Sequence, residues 1–308
     1  MKTFIKIIEI WTPTADRKWL TLADGIFGQY GVFRAHSEMR SFGYDKGLPG
    51  KAWSQARPII ITDLEHSYFQ RKQEAAQAGL TSGIAVPIFA GEYLLAVIVF
   101  LCGDDEHQAS AIELWGKNEE DKLALIEGYF ASLDNFAWQS RRITFSKELG
   151  VPGRVWKSHM PEIIADAGNP ANFLRAKLAT DIGISTVVGI PAIYDASKEY
   201  VLTFISVKGS PITRRFEIWS PDPGQQSLHF HSGFCDQGTE LATVHADTRI
   251  KRGEGMIGTV WLTGCPSISH KPAEDGLVAG DPPRSLNSAL VMPIIESGYL
   301  KAIVVFLF

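Results

Sequence analysis

The chain has 308 residues and a formal net charge of −4, with 45% hydrophobic and 21% charged residues. This length predicts two or three domains, and the composition is that of a folded globular protein rather than a disordered one. The small net charge provides no global field that would attract nucleic acid. No window contains the roughly 18 apolar residues needed to cross a bilayer, so no membrane segment is predicted.

The N-terminus and the cysteines point to the same compartment. Residues 4–8 are apolar but include Lys6, lead into Glu9 and carry no small-residue cleavage site, so they predict a strand rather than a secretion signal. The cysteines are odd in number, widely spaced and without a CxxC pair: Cys102, Cys235 and Cys265. This usage favours a reducing compartment, and a cytoplasmic protein is predicted.

An internal repeat organises the whole chain. The segment Ile-Glu-Ile-Trp ending at Trp11 returns with variations ending at Trp115 and Trp219, an interval of 104 residues both times. A Gly-x-x-Gly-x-x-Trp anchor recurs at 47–53, 150–156 and 255–261, and a proline-broken apolar strand recurs at 84–88, 188–192 and 290–294. Three anchors at one period predict three domains, over residues 1–104, 105–208 and 209–308.

Each repeat predicts the same order of elements. An alternating strand is followed by a polar turn, a second strand, a glycine-proline turn opening a short helix, and a buried strand. The repeat closes with an apolar hairpin. Between the buried strand and the hairpin lies a variable segment, predicted helical over 67–78 in the first repeat, with Phe69, Ala76 and Leu80 near one face, and over 171–181 in the second. In the third repeat a loop is predicted, because breakers interrupt any helix there: Gly276, Gly280, Pro282 and Pro283.

These motifs resemble the GAF domain family. The resemblance rests on the turns at 47–53 and 150–156, the strand ending at Asp63, Asn172-Phe173 with the alanine-rich segment after it, and the hairpin at 86–100. It implies an α+β fold with three tandem GAF-like domains, each a central antiparallel β-sheet with helices packed on it and a ligand pocket between the sheet and a variable lid. The lid of the third domain is degenerate. Joints of about ten residues replace the long linker helices common in this family, and no output domain is expected beside the three repeats.

Two repeated motifs have a structural and a functional interpretation. The Gly-x-Pro-Gly turn could cradle a phosphate at a helix N-terminus, but it lacks the Lys-Ser/Thr pair of a P-loop, so a structural turn is preferred. Glu and Trp two residues apart share one strand face in every repeat: Glu9 and Trp11, Glu113 and Trp115, Glu217 and Trp219. A half-exposed strand with a tryptophan at the edge of the core is preferred over a shared pocket or an interface between repeats.

Metal and thiol chemistry are not favoured. His229, His231, Cys235 and His245 are the densest set of metal-ligand types, with the first two on one strand face, but the other repeats have no counterpart and a fourth ligand is not evident. No metal is predicted. Relatives that reduce free methionine sulfoxide, and relatives that attach a bilin, use cysteines around the pocket, whereas no cysteine of this chain falls in a lid.

The ligand-contact candidates are aromatic and basic residues of the first two lids: Tyr68, Phe69, Arg71, Lys72, Phe173, Arg175 and Lys177. The predicted function is a non-enzymatic sensory or regulatory module in signal transduction that binds a small molecule or a separate signalling protein. The first two repeats are the expected ligand sites. A scaffold without a ligand is the alternative, and a cysteine-dependent reductase of a free sulfoxide comes third. The identity of a ligand or cofactor and the state of self-association are left open.

Overall fold

A computed structural model describes residues 3–103, 109–195, 197–278 and 286–308. The strands form three six-stranded sheets, and the strand pairings are antiparallel. The predicted α+β class is confirmed, with helices packed on antiparallel sheets. None of the helices in the described ranges is long and apolar enough to cross a membrane.

The first sheet lies wholly within the first repeat and has the strand order β3-β2-β1-β6-β5-β4. Its strands are β1 (Ile5–Pro13), β2 (Trp19–Ile26), β3 (Ser41–Gly43), β4 (Ile59–Ile61), β5 (Ser82–Ala90) and β6 (Tyr93–Cys102). Its helices are α1 (Gly31–Glu38), α2 (Gly47–Gln55) and α3 (Lys72–Gln77). The strand that opens the repeat therefore lies in the middle of the sheet, and the two shortest strands lie at its edges.

The second and third sheets repeat this order. The second contains β7 (Ala111–Lys117), β8 (Leu123–Tyr129), β9 (Thr144–Phe145), β10 (Glu162–Ile164), β11 (Ile184–Asp195) and β12 (Lys198–Val207), with α4 (Asp134–Ser140), α5 (Gly150–Ser158) and α6 (Ala176–Ile182). The third contains β13 (Arg215–Pro221), β14 (Ser227–Cys235), β15 (Arg249–Lys251), β16 (Ser267–Ser269), β17 (Ala289–Glu296) and β18 (Tyr299–Leu307), with α7 (Leu241–Val244) and α8 (Gly255–Thr263).

The chain divides into two compact units. One comprises Met1–Pro87 with Val97–Ile212, and the other comprises Ile88–Ala96 with Thr213–Phe308. The first unit thus holds most of the first repeat and the second repeat, and the second unit holds the third repeat. The repeat boundaries after residues 104 and 208 stay a prediction.

A β-bulge recurs beside the repeated tryptophan. The pairing register shifts between Ile10 and Trp11, between Leu114 and Trp115, and between Ile218 and Trp219. In each case the extra residue belongs to the neighbouring strand, and in the third sheet it is His231. The bulge interrupts the alternation on which the expected shared face of His229 and His231 depends.

The glycine-proline motif is the first turn of a helix rather than a turn before it. Gly47, Gly150 and Gly255 open α2, α5 and α8 with positive φ values of +61°, +63° and +57°. The second glycine of the motif lies against backbone, because a Cβ on Gly153 would be 2.1 Å from the carbonyl oxygen of Ser146. Gly50 has the same contact with Gly43, also at 2.1 Å. These helices can therefore pack directly on the preceding turn.

The segment between the short edge strand and the closing hairpin is called the lid segment here: residues 62–81, 165–183 and 270–288. The predicted lid helices were too long, since α3 begins at Lys72 and α6 at Ala176. Side-chain turns occupy the missing parts: the Ser67 hydroxyl accepts from the Phe69 amide, and the Asn169 side chain accepts from the Ala171 amide. Ala75, not Ala76, is the buried alanine of α3. No helix lies in the described part of the third lid segment, while Gly280, Pro282 and Pro283 fall outside the described residues.

We predict that Gly153→Ala destabilises the chain by about 1–3 kcal/mol, because the new methyl group must displace backbone rather than a flexible side chain. Urea unfolding followed by circular dichroism measures the change. Gly31→Ala is the matched control: Gly31 opens α1, and a methyl group added there would have nothing within 4 Å. Equal unfolding midpoints for the two variants would contradict the close packing of α5.

Candidate functional site

A buried ion pair lies in the interior of the first domain. The Glu9 carboxylate on β1 accepts from both terminal nitrogens of Arg71, with Nη2 at 2.8 Å from Oε2. The indole nitrogen of Trp11 donates to Oε2 at 3.0 Å, and the Ser37 hydroxyl on α1 donates to Oε1 at 2.7 Å. Glu9 and Arg71 are 0% exposed. The carboxylate is thus fully paired, which its burial requires.

Aromatic rings surround the Arg71 guanidinium. Its carbon lies 4.7 Å from the centroid of Phe33, 5.2 Å from that of Phe69, 5.4 Å from that of Trp11 and 5.7 Å from that of Phe42. The Nε atom has no hydrogen-bond partner among the described residues, and it lies among these aromatic rings instead. Phe69 and Arg71 come from the lid segment, so side chains of the lid occupy the space between lid and sheet.

The second domain repeats this arrangement. Arg175 Nη1 and Nη2 donate to the two oxygens of Glu113 at 2.7 and 3.0 Å, and the Ser140 hydroxyl donates to the same carboxylate at 2.6 Å. Phe136, Phe173 and Trp115 form the aromatic cage, with centroids 4.0, 4.9 and 5.8 Å from the guanidinium carbon. A further donor, the Thr203 hydroxyl, lies 2.9 Å from Glu113.

The expected half-exposed Glu–Trp strand face was wrong. Trp11 and Trp115 are 0% exposed and Trp219 is 1% exposed, and the glutamates two residues before them are equally buried. Each indole nitrogen donates to its neighbouring glutamate, which explains why the same spacing recurs in the three repeats. A sequence signal for the ion pair existed, because Arg71 follows Glu9 and Arg175 follows Glu113 at the same separation of 62 residues.

The third domain neutralises its glutamate in a different way. Arg215, two residues earlier on the same strand, donates from Nε to Glu217 Oε1 at 2.6 Å. His245 lies at the place that Ser37 and Ser140 take in the other domains, with Nε2 3.4 Å from Glu217 Oε1. Burial works to raise the pKa of Glu217, but its contacts with His245, Arg215 and Trp219 outweigh burial and hold this pKa below its ordinary value. The described part of the lid therefore contributes no cation here.

Leu277 takes the aligned position of the two lid arginines. It precedes Leu290 by the same number of residues as Arg71 precedes Ile84 and Arg175 precedes Val188. A cavity of about 240 Å³ lies in this region of the third domain. Strand, helix and lid all contribute to its lining, which consists of Trp219, His245, Thr248, Arg249, Ile250, Glu254, Gly255, Met256, Ile257, Asp275, Gly276 and Leu277.

One polar side chain of this cavity has an unsatisfied atom. His245 is 5% exposed, and its Nδ1 has no hydrogen-bond partner in the described part of the chain. Arg215 Nη2 lies 2.9 Å from His245 Nε2. Nε2 therefore faces both Arg215 and the Glu217 carboxylate, and Nδ1 is the ring nitrogen left without a partner. A buried ring nitrogen without a partner, on a residue that lines a cavity, is available to a hydrogen-bonding group of a ligand.

The predicted ligand-contact residues divide into three groups. Phe69, Arg71, Phe173 and Arg175 are buried in the two caged ion pairs. Lys72 and Lys177 are exposed on the lids. Tyr68 lines a surface cleft beside β4. Their role in ligand binding stays a prediction, whereas the lining of the third cavity was missed because a degenerate lid gave no motif.

The histidine and cysteine candidates do not gather into one site. His231 is exposed, His229 lies 3.3 Å from the Ser220 hydroxyl, and His245 is in contact with Glu217. Within the described ranges, no group of three or more His, Cys, Asp or Glu side chains is arranged to hold a metal ion. Cys102, Cys235 and Cys265 form no disulfide bond with one another, and burial raises the pKa of the Cys265 thiol.

A comparison with protein families matches residues 10–116 to the profile of the GAF domain. The chain consists of tandem GAF-like domains. The family profile covers about a third of the chain, most of the first domain and part of β7 in the second. The second and third GAF-like domains repeat the strand order and the Glu–Trp strand of the first. Among curated proteins none matches.

Several solved structures are similar to about a third of the chain. The A. aeolicus nlh2 GAF domain in an inactive state is 20% identical over 33% of this chain and 60% of its own, with a TM-score of 0.27. A GAF domain/HD domain protein from Geobacter sulfurreducens is 15% identical over 32% and 63%, with a TM-score of 0.28. The free methionine-R-sulfoxide reductase from Neisseria meningitidis, solved with its substrate, is 16% identical over 32% and 52%, with a TM-score of 0.26. The chain thus spans only about half to two thirds of these proteins.

We predict that Arg71→Met destabilises the chain by about 3–5 kcal/mol, because it leaves the Glu9 carboxylate buried without a counter-charge. Urea unfolding measures the loss, and Arg34→Met is the control, since Arg34 makes an exposed pair with Glu38. Adding Glu9→Gln to Arg71→Met should recover part of the loss. If Arg71→Met were as stable as Arg34→Met, the ion pair would not hold the lid to the sheet.

Proposed function

We propose that this chain is a non-enzymatic regulatory module in which the third GAF-like domain binds a small molecule and the first two domains serve as a structural platform. This division is supported by how far side chains fill the space beneath the lids in the three domains. Lid side chains, Phe69 with Arg71 and Phe173 with Arg175, occupy it in the first two domains. The third domain also buries Leu277 and Val278 of its lid, but a cavity of about 240 Å³ remains beside Leu277.

The mechanism is a shift of population between lid positions. In the third domain Arg215, His245 and Trp219 satisfy the buried glutamate, so the described part of the lid can change position without leaving a carboxylate unpaired. A ligand that forms a hydrogen bond with His245 Nδ1 and contacts Asp275, Gly276 or Leu277 favours the closed lid. The output passes to a separate signalling protein or to a second copy of the chain, in a reducing compartment.

A scaffold function describes the first two domains better than a sensor function does. Their caged ion pairs tie lid to sheet through paired hydrogen bonds, so an entering ligand would have to displace a buried arginine. The reductase alternative has less support. Cys102 and Cys235 are buried, and the raised pKa of Cys265 opposes the thiolate that such chemistry needs.

The test is mass spectrometry of the small molecules released when the purified full chain is denatured, with an absorption spectrum of the same sample. Met256 lines the cavity, so Met256→Trp should fill it and lower the occupancy by about tenfold, equivalent to ~1.4 kcal/mol of binding free energy. Met39→Trp, at a position that is 75% exposed, is the control and should keep the ligand.

Retention of the same compound by Met256→Trp would place the ligand elsewhere and overturn the proposal. If no compound is released, thermal-shift screening of the wild-type chain against a metabolite library replaces the extraction. A hit that Met256→Trp loses and Met39→Trp keeps would support the proposal, and the absence of any hit would favour a scaffold.

A further inference from the structure

The first two repeats are in contact at an edge of the first sheet, where β4 lies. Among the described strands β4 pairs only with β5, so its other edge presents backbone groups that need partners. The amide of Ile60, in the middle of β4, donates to Oε2 of Glu127 at 2.7 Å. Glu127 belongs to β8 of the second repeat. A side-chain carboxylate thus satisfies a backbone donor at an open sheet edge.

Arg57 binds the other oxygen of the same carboxylate. Its Nη2 lies 3.2 Å from Glu127 Oε1. The rest of the guanidinium is fixed by the first repeat itself, since Nε donates to Gln55 Oε1 and Nη1 to the Pro58 carbonyl, both at 3.1 Å. The two donors that receive Glu127 are therefore held in position by residues 55–60 and not by Glu127.

These donors lie in an open cleft of about 420 Å³. Its lining includes Gln55, Arg57, residues 59–63, His66, Ser67, Tyr68 and Glu127. Burial and then the negative charge of Glu127 raise the pKa of Tyr68 to about 12, so its hydroxyl stays protonated and able to donate at neutral pH. The volume lies within the range of small-molecule sites.

We propose that this cleft is a binding site for small-molecule carboxylates, formed by the Arg57 guanidinium and the Ile60 amide, which Glu127 occupies from within the chain and an external carboxylate can take over. This site is separate from the cavity of the third domain and does not depend on it. Exchange of the two carboxylates removes the contacts of Glu127 with Arg57 and Ile60, so ligand binding changes the contact between the first two repeats.

The exposure of the pair makes this exchange feasible. The side chains of Arg57 and Glu127 are 23% and 28% exposed, whereas Arg71 and Glu9 are 0% exposed. A partly exposed ion pair contributes little to stability, so its replacement by an equivalent external pair costs little. The competing Glu127 belongs to the same chain and is already held against both donors, so an external carboxylate must displace it. Removing its carboxylate should strengthen external binding.

The test follows the Ile60 amide resonance by ¹H–¹⁵N NMR while succinate is added at constant ionic strength. We expect saturable shifts in Glu127→Ala at about tenfold lower succinate concentration than in the wild-type chain, because the intramolecular competitor is gone. Glu127→Gln, which keeps the size of the side chain, should behave in the same direction. Glu120→Ala removes an exposed carboxylate that pairs with Lys122 and should match the wild type.

Two further samples decide the outcome. Succinamide has nearly the same shape without charge and should not bind, and the double variant Glu127→Ala/Arg57→Ala should lose saturable binding of succinate while its remaining amide spectrum stays folded. The proposal is overturned if Ile60 shows no saturable shift with succinate in either Glu127→Ala or Glu127→Gln. It is overturned equally if Glu127→Ala binds succinamide as tightly as succinate, or if the double variant binds succinate as tightly as Glu127→Ala does.

Discussion

A buried carboxylate on the central strand is the constraint on which each domain depends. Glu9, Glu113 and Glu217 lie in the core, where an unpaired charge would be very costly, so each domain must supply a cation and further donors at that point. The tryptophan two residues later supplies one donor in all three. What differs is the source of the cation. Where the lid supplies the cation, the lid is fixed to the sheet. In the third domain the strand supplies it through Arg215, and the described part of the lid does not pair with the carboxylate.

The frame around this carboxylate is kept constant while the lid varies. The bulge beside the tryptophan and the helix that opens on a positive-φ glycine recur in each repeat, because both are set by backbone geometry. His245 shows how one position adapts to the change of cation. A serine hydroxyl at this place donates to the glutamate in the first two domains, whereas the imidazole contacts Arg215 and Glu217 through Nε2 and leaves Nδ1 without a partner among the described residues. The residue that completes the pairing therefore also leaves an unpaired ring nitrogen on a residue that lines the cavity.

The sequence was sufficient for the frame and insufficient for the interior. Anchors at one period predicted the repeats and the strand types, since hydrophobic alternation and glycine chemistry are local properties. The lid helices were overextended because Ser67 and Asn169 form side-chain turns that compete with helix. The burial of Glu9 was missed because a carboxylate alone indicates exposure, and only its partner Arg71, 62 residues away, reverses that rule. The common separation in two repeats held this information. The third cavity had no comparable signal, because Leu277 stands where the other two lids have an arginine and carries no charge.

Two kinds of Glu–Arg pair in the first unit have opposite consequences for regulation. The pair of Glu9 and Arg71 is excluded from water, so a competitor that displaced one ion would leave the other buried without a partner. This pair therefore holds the lid to the sheet permanently. The pair of Glu127 and Arg57 is open to solvent on one side, and its arginine is held by Gln55 and Pro58 whether or not the glutamate is present. The same two side-chain types thus fasten a domain interior in one place and form an exchangeable contact in another. Burial, rather than the identity of the charges, decides which of the two a Glu–Arg pair becomes. In this unit the contact between the first two repeats, and not the domain cores, is therefore the part that a solute can reach.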